Sequence, residues 1–180
     1  MRKLIESTFI TLDGVIDKLE TWSIDYFDEE YGKYSNDLLT GASALLLGRE
    51  TYEGFASYWP TAEESDGEYA VTINKLPKYV ASRTLTEAAW NATVIQGDVA
   101  EAVAELKKED GGHILKFGTG ELDRALLGLV DEYHFWVHPV IAGSGQRVLD
   151  GVDTTHLEYV RSTPLPSGVI VHVYSPKRPK

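Results

Sequence analysis

The chain of 180 residues contains no cysteine. That absence removes disulfides, zinc–thiolate sites, iron–sulfur clusters and a cysteine nucleophile together, and it fits a reducing, cytoplasmic setting. Long apolar runs are missing as well. The start, Met1-Arg2-Lys3-Leu4-Ile5-Glu6, meets a glutamate before a signal-peptide core develops, and no later run is long enough to span a bilayer. Neither a targeting peptide nor a membrane partner is expected. Basic residues are few: 17 Lys and Arg against 28 Asp and Glu leave a net charge of −11. Duplex nucleic acid is therefore an unsuitable partner, since such affinity comes mainly from basic side chains neutralising phosphates. A small phosphate-bearing molecule needs only a few local Arg or Lys and stays possible. The basic tail Lys177-Arg178-Pro179-Lys180 reads as a solvated end.

Catalytic signatures fail in an informative way. Without Gly-Lys-Ser/Thr there is no phosphate loop of the Walker type, and without Gly-x-Ser-x-Gly there is no hydrolase elbow. His134 and His138 share a strand face, but four strand residues separate them by about 13 Å, too far to grip one metal together. Each is expected to be a satisfied, partly buried histidine, and no metal site is expected. Repeats, low-complexity tracts and linker-like breaks are also lacking, so residues 1–180 are expected to form one domain.

What is present is an alternation of short apolar runs and helical patterns. Strands are expected at residues 3–11, 44–47, 78–84, 93–95, 113–117 and 130–141, with a final hairpin over 155–162 and 169–174. Helical spacing covers residues 26–39, 49–59, 99–108 and 121–129, whereas the acidic segment 61–76 reads as a loop with a short helix. The pattern predicts an α/β domain with a mainly parallel sheet closed by an antiparallel hairpin.

Three strand exits carry polar chemistry. Ile114-Leu115-Lys116-Phe117 breaks into Gly118-Thr119-Gly120 at the mouth of a helix, where backbone N–H groups favour a phosphate. A tight turn alone explains the same glycines. Leu45-Leu46-Leu47 runs into Gly48-Arg49-Glu50-Thr51; Arg49 is placed to bind a phosphate or to pair with Glu53, and Thr51 to bind or to cap. The third exit is Ser82-Arg83. In parallel sheets ligands gather beyond the carboxyl ends of the strands, so the three together point to a dinucleotide. Because the third glycine of the usual dinucleotide turn is missing after Gly120, an ordinary Rossmann domain is excluded.

Leu47-Gly48-Arg49-x-Thr51-Tyr52 resembles the Met-Gly-Arg-x-Thr-Trp segment of dihydrofolate reductases. Phe117-Gly118-Thr119-Gly120 is similar to their triple-glycine turn, and Thr11-Leu12-Asp13-Gly14-Val15-Ile16 to their substrate loop. The stretch Pro139-Val140-Ile141-Ala142-Gly143-Ser144-Gly145-Gln146-Arg147 resembles the reductase domain of bacterial riboflavin-biosynthesis proteins more closely. The resemblance implies a three-layer αβα dihydrofolate reductase-like fold. It also implies NADPH binding by Gly48, Arg49, Thr51, Ser82, Arg83, Phe117, Gly118, Thr119 and Gly120, with Val15 and Ile16 beside the nicotinamide. One carboxylate among Asp28, Glu29 and Glu30 would assist protonation of a heterocyclic substrate.

Glu121 stands where many folate enzymes carry an arginine for the 2′-phosphate, which leaves NADH open as the cofactor. The implied reaction is reduction of a pyrimidine- or pterin-like ring, most like 5-amino-6-(5-phosphoribosylamino)uracil. No deaminase zinc motif accompanies it, so only the reduction half of that pathway step is expected. Dihydrofolate reduction and a non-catalytic nucleotide-binding dimer of the same fold are the alternatives. The aromatic segment 133–137 offers an apolar surface for a homodimer or, equally, fills the core.

Overall fold

Alternation along the strands decides the layers. In β1 (Leu4–Thr11), Leu4 and Ile5 point to opposite faces of the sheet, as do Leu46 and its neighbours Leu45 and Leu47 in β2 (Ala42–Gly48), and Ile114 and Leu115 in β5 (His113–Phe117). All of these are buried on both faces, which is why the runs look uniformly apolar in the sequence. Leu4, Leu46 and Ile114 meet Val103 and Leu106 of α4 (Val99–Lys108) and Leu126 of α5 (Glu121–Leu126). The opposite face packs Leu38 and Leu39 of α1 (Glu29–Thr40), Tyr52 of α2 (Arg49–Tyr58) and Ile73 of α3 (Glu63–Lys75).

The computed structural model describes residues 1–177; the end of the basic tail, 178–180, lies outside the described residues. The remaining strands are β3 (Lys78–Ala81), β4 (Ala92–Val94), β6 (Glu132–His138), β7 (Leu157–Pro164) and β8 (Ile170–Pro176). One eight-stranded sheet results, in the order β4-β3-β2-β5-β1-β6-β8-β7. Pairing is parallel from β4 through β6, and β8 then runs antiparallel to β6 and to β7. The expected three-layer fold with a terminal antiparallel hairpin is therefore what forms. No helix among the described residues is long and apolar enough to cross a membrane.

Local chemistry moves several boundaries. Residues 24–26 form a separate 3-10 turn, and α1 starts later than its apolar spacing implies because Asp28 caps it, accepting from Tyr31 N at 2.7 Å. The third strand stops at Ala81, since Ser82 Oγ accepts from the Thr84 and Leu85 amides and turns the chain away. The acidic segment expected as a loop with a short helix is helical over most of its length as α3, thirteen residues long and broken at Gly67, where φ is +56°. Its acids Glu63, Glu64 and Asp66 suit the first turn, and Ala70 and Ile73, three apart, bury one face.

As for the aromatic strand, β6 lies inside the sheet and Tyr133 and Trp136 are each 1% exposed, so those rings fill the core rather than forming a subunit interface. Ile73 is wholly buried, and Ile73→Ala is expected to lower stability by about 2–5 kcal/mol in urea unfolding. A loss under 0.5 kcal/mol would mean that α3 does not pack as described.

Candidate functional site

Parallel pairing places the ends of β3, β2 and β5 side by side, with Gly48 in register with Ala81. Their exits meet. A Cβ added to Gly118 would lie 3.5 Å from Thr51 Oγ1, so the first turn of α2 faces the glycine turn. Arg83 Nη2 donates to Glu121 Oε2 at 2.6 Å, joining the β3 exit to the start of α5. Arg49 stands in the same first turn as Thr51 and reaches Glu53 at 3.4 Å and Glu50 at 3.8 Å. Both arginines are thus held by carboxylates at the surface, in pairs that contribute about 0–1 kcal/mol each.

The glycines have different reasons to be glycine. Gly118 has φ +72°, a left-handed conformation that side chains resist. Gly48 and Gly120 have ordinary backbone angles, and a Cβ on either would meet nothing within 4 Å. Neither the fold's angles nor its packing requires them, so open space is kept in front of the turns. Thr119 adds a buried hydroxyl with no partner among the described residues. These features fit a phosphate-bearing cofactor.

The two glycine amides, however, do not point outward as the sequence implies. Gly118 N–H donates to Ser7 O at 3.2 Å and Gly120 N–H to the Asp123 carboxylate. Asp123 satisfies the helix end from within.

Beyond β1 the loop is sewn to the segment after β6. Asp13 accepts from Thr11 Oγ1 at 2.6 Å, Ala142 N at 3.0 Å and Gly143 N at 2.8 Å. The Thr11 hydroxyl, then the two amides, hold its carboxyl down to about 2. Val15 bridges to Arg147, Ile16 N donates to Gln146 O, and Val15 borders a cleft of about 280 Å³ shared with Asp17, Trp22, Val140 and Ser144. Val15 is buried, and Ile16, which does not line the cleft, is half-buried. Of the three acids on the first helix, Asp28 is half-buried, while Glu29 and Glu30 are exposed.

His134 is satisfied by Tyr34 and Glu132, whereas buried His138 bonds Trp136 O through Nδ1 and leaves Nε2 without a partner among the described residues. Both are more buried than expected. Phe9, Trp22, Tyr26 and Tyr31 surround the His138 ring, and this burial lowers its pKa and keeps it neutral.

One charged group escaped the sequence reading. Glu6 of β1 stands in register with Lys116 of β5 on one side and with Tyr133 of β6 on the other. Lys116 Nζ lies 2.8 Å from Glu6 and 2.9 Å from Asp123, and all three side chains are at most 2% exposed. These contacts are ion pairs without hydrogen-bond alignment. Burial pushes the Glu6 carboxyl up to about 8, with the Lys116 ammonium opposing and the Asp123 carboxyl adding to the rise. For Lys116, burial works against the charge, but the two carboxylates prevail and raise its pKa. The signal was a lysine and a glutamate inside runs otherwise buried on both faces.

The fold defines an α/β protein of dihydrofolate reductase-like architecture, with three polar turns gathered at the ends of its parallel strands. The chain belongs to the RibD C-terminal domain family, which it matches over residues 2–171. It is 31% identical over 178 residues to the uncharacterized protein YyaP of Bacillus subtilis (strain 168), covering 96% of this chain and 94% of that one. Two solved structures share the fold. One is a diaminohydroxyphosphoribosylaminopyrimidine deaminase/5-amino-6-(5-phosphoribosylamino)uracil reductase from Thermotoga maritima, with TM-score 0.69 and 14% identity, covering 98% of this chain and 57% of that chain. This chain thus spans a little over half of that bifunctional protein. The other is the dihydrofolate reductase of Enterococcus faecalis, complexed with NADP(H), with TM-score 0.65, 18% identity and coverage of 98% and 97%.

The raised Glu6 pKa has a definite sign. Folded protein keeps this proton up to about pH 8 while the unfolded chain releases it near 4.5, so the stability Glu6 contributes is full below 4.5 and declines as pH rises to 8. The slope is at most roughly 1.4 kcal/mol per pH unit. Urea unfolding from pH 5 to 8.5 is expected to show this decline relative to Glu6→Gln. A difference between the two proteins that stays constant with pH would refute it.

Proposed function

We propose that this protein is an NADPH-dependent reductase of a pyrimidine- or pterin-like heterocycle, most like 5-amino-6-(5-phosphoribosylamino)uracil. The observation that carries the reading is the meeting of three turns at one edge of the sheet, with Thr51 facing Gly118 and Arg83 tied to Glu121. Family membership and the fold shared with an NADP(H)-complexed reductase support it. The cofactor, when bound, supplies the hydride, and the chain supplies orientation and a dry pocket.

In this reading Gly48, Phe117, Gly118 and Gly120 leave room for the dinucleotide, Thr119, Thr51 and Ser82 offer hydroxyls to its phosphates, and Val15 and Ile16 border the nicotinamide. Arg49 and Arg83 meet the 2′-phosphate. Glu121, which alone would repel that phosphate, is neutralised by Arg83. A phosphate dianion can replace a surface carboxylate as the partner of an arginine, because the exposed pair costs little to open. Asp28 is the acid assigned to substrate protonation, since Glu29 and Glu30 lie open to solvent.

Cofactor fluorescence during titration with NADPH and NADH tests the reading directly; binding of neither at near-physiological concentration would overturn it. Arg49→Ala is expected to weaken NADPH by roughly 10- to 100-fold with far less effect on NADH, the loss of one charge-assisted contact. Equal losses would remove Arg49 from the 2′-phosphate. Glu121→Gln, which frees Arg83, should tighten NADPH several-fold.

Asp28→Asn keeps a good helix cap and removes the acid, so the melting temperature should hold while turnover falls by about 100-fold or more. Unchanged turnover on a substrate found by screening a heterocycle panel would exclude Asp28.

A further inference from the structure

Beneath the glycine turn the buried charges do more than balance one another. Lys116 Nζ also donates to Gly118 O, and the Asp123 carboxylate that faces Lys116 accepts from Gly120 N–H. The first and last residues of the turn are therefore bonded to the two ends of one ion pair. Glu6 completes the set, held by Thr8 Oγ1 at 2.9 Å and lying 2.8 Å from the same Lys116 ammonium that faces Asp123. With two buried carboxyls on one ammonium, a proton on Glu6 costs less than burying a second carboxylate charge. The groups facing Glu6 are Lys116 from β5, Asp123 from α5 and the phenol of Tyr133 from β6, whose buried hydroxyl has no partner among the described residues.

We propose that Glu6, Lys116 and Asp123 are positioning residues that clamp turn 118–120 from below, and that the proton on Glu6 couples the hold on an anionic dinucleotide to pH. The proposal rests on the cofactor reading above. With the proton in place, one ammonium faces one carboxylate and the network is neutral. Its loss leaves a net negative charge buried directly behind the turn, and that charge repels a phosphate in front. It also draws Lys116 toward Glu6 and away from Gly118 O, which loosens the turn. Both effects weaken binding as pH rises. Lys116 and Asp123 touch the turn from inside the core, Glu6 acts through Lys116, and none of the three need touch the cofactor.

Dissociation constants for NADPH and NADH measured by fluorescence from pH 6.5 to 9 read the coupling. NADH carries no 2′-phosphate, so an effect common to both cofactors belongs to the turn. In the unmodified protein affinity is expected to fall several-fold between pH 7 and 9, by no more than about tenfold per unit for one proton. In Glu6→Gln and in Asp123→Asn, which keeps an oxygen for the Gly120 amide, the ratio of affinities at the two pH values should approach one. A slope in Glu6→Gln equal to that of the parent, with thermal melts confirming that the variant folds, would overturn the coupling.

The clamp has its own readout without any ligand. The Gly118 and Gly120 amide resonances should titrate between pH 7 and 9 in the parent and stay fixed in Glu6→Gln. Resonances that do not move in the parent would overturn the clamp even where a dinucleotide binds. Failure of both dinucleotides to bind the parent would instead bring down the cofactor reading, and the coupling with it.

Discussion

A buried ammonium cannot stand alone, and Lys116 is 2% exposed in the middle of the sheet. Taking such a charge out of water costs several kcal/mol even after relaxation, so its partners are part of the fold. Glu6 meets it only if β1 pairs with β5 in the observed register; a shift of one residue would turn Glu6 to the other face and leave Lys116 unpaired on that side. Asp123 meets it only if α5 starts just after Gly120. Strand register, helix position and the shape of the glycine turn are thus fixed by one interaction.

The burial of this cluster need not add to net stability. An apolar trio of similar size is often as stable as a buried ion network or more so. What the charges give is a directed hold on two backbone groups, the carbonyl of Gly118 and the amide of Gly120, which no apolar side chain supplies. It also explains why the outward-facing amides implied by the Gly-x-Gly pattern are missing. A carboxylate from the core has already taken the place that a free helix end offers to an anion.

Much of the architecture was legible because local rules sufficed. The Leu45 to Leu47 run and the Arg49–Glu53 pair each depend on residues within a few positions of one another. The full length of α3 was hidden because its exposed face is acidic and its buried face needs few apolar side chains; Ala70 and Ile73 are the buried pair. The Glu6, Lys116 and Asp123 cluster was hidden for another reason. Its members come from β1, β5 and α5, and their meeting depends on which strands pair, a long-range choice that no local window contains. The lysine within an apolar run was the visible half of the signal.

The same contrast separates the two kinds of charge pair around the cleft. Arg83 and Glu121 are 88% and 76% exposed, so water already competes for both and the pair can open at little cost. Lys116 and its carboxylates have no such alternative and stay together. The arginines in front of the turn can therefore exchange partners, while the charges behind it keep the backbone in place. Exchange at the rim and permanence beneath it are set by burial, since the residue types on the two sides of the turn are nearly the same.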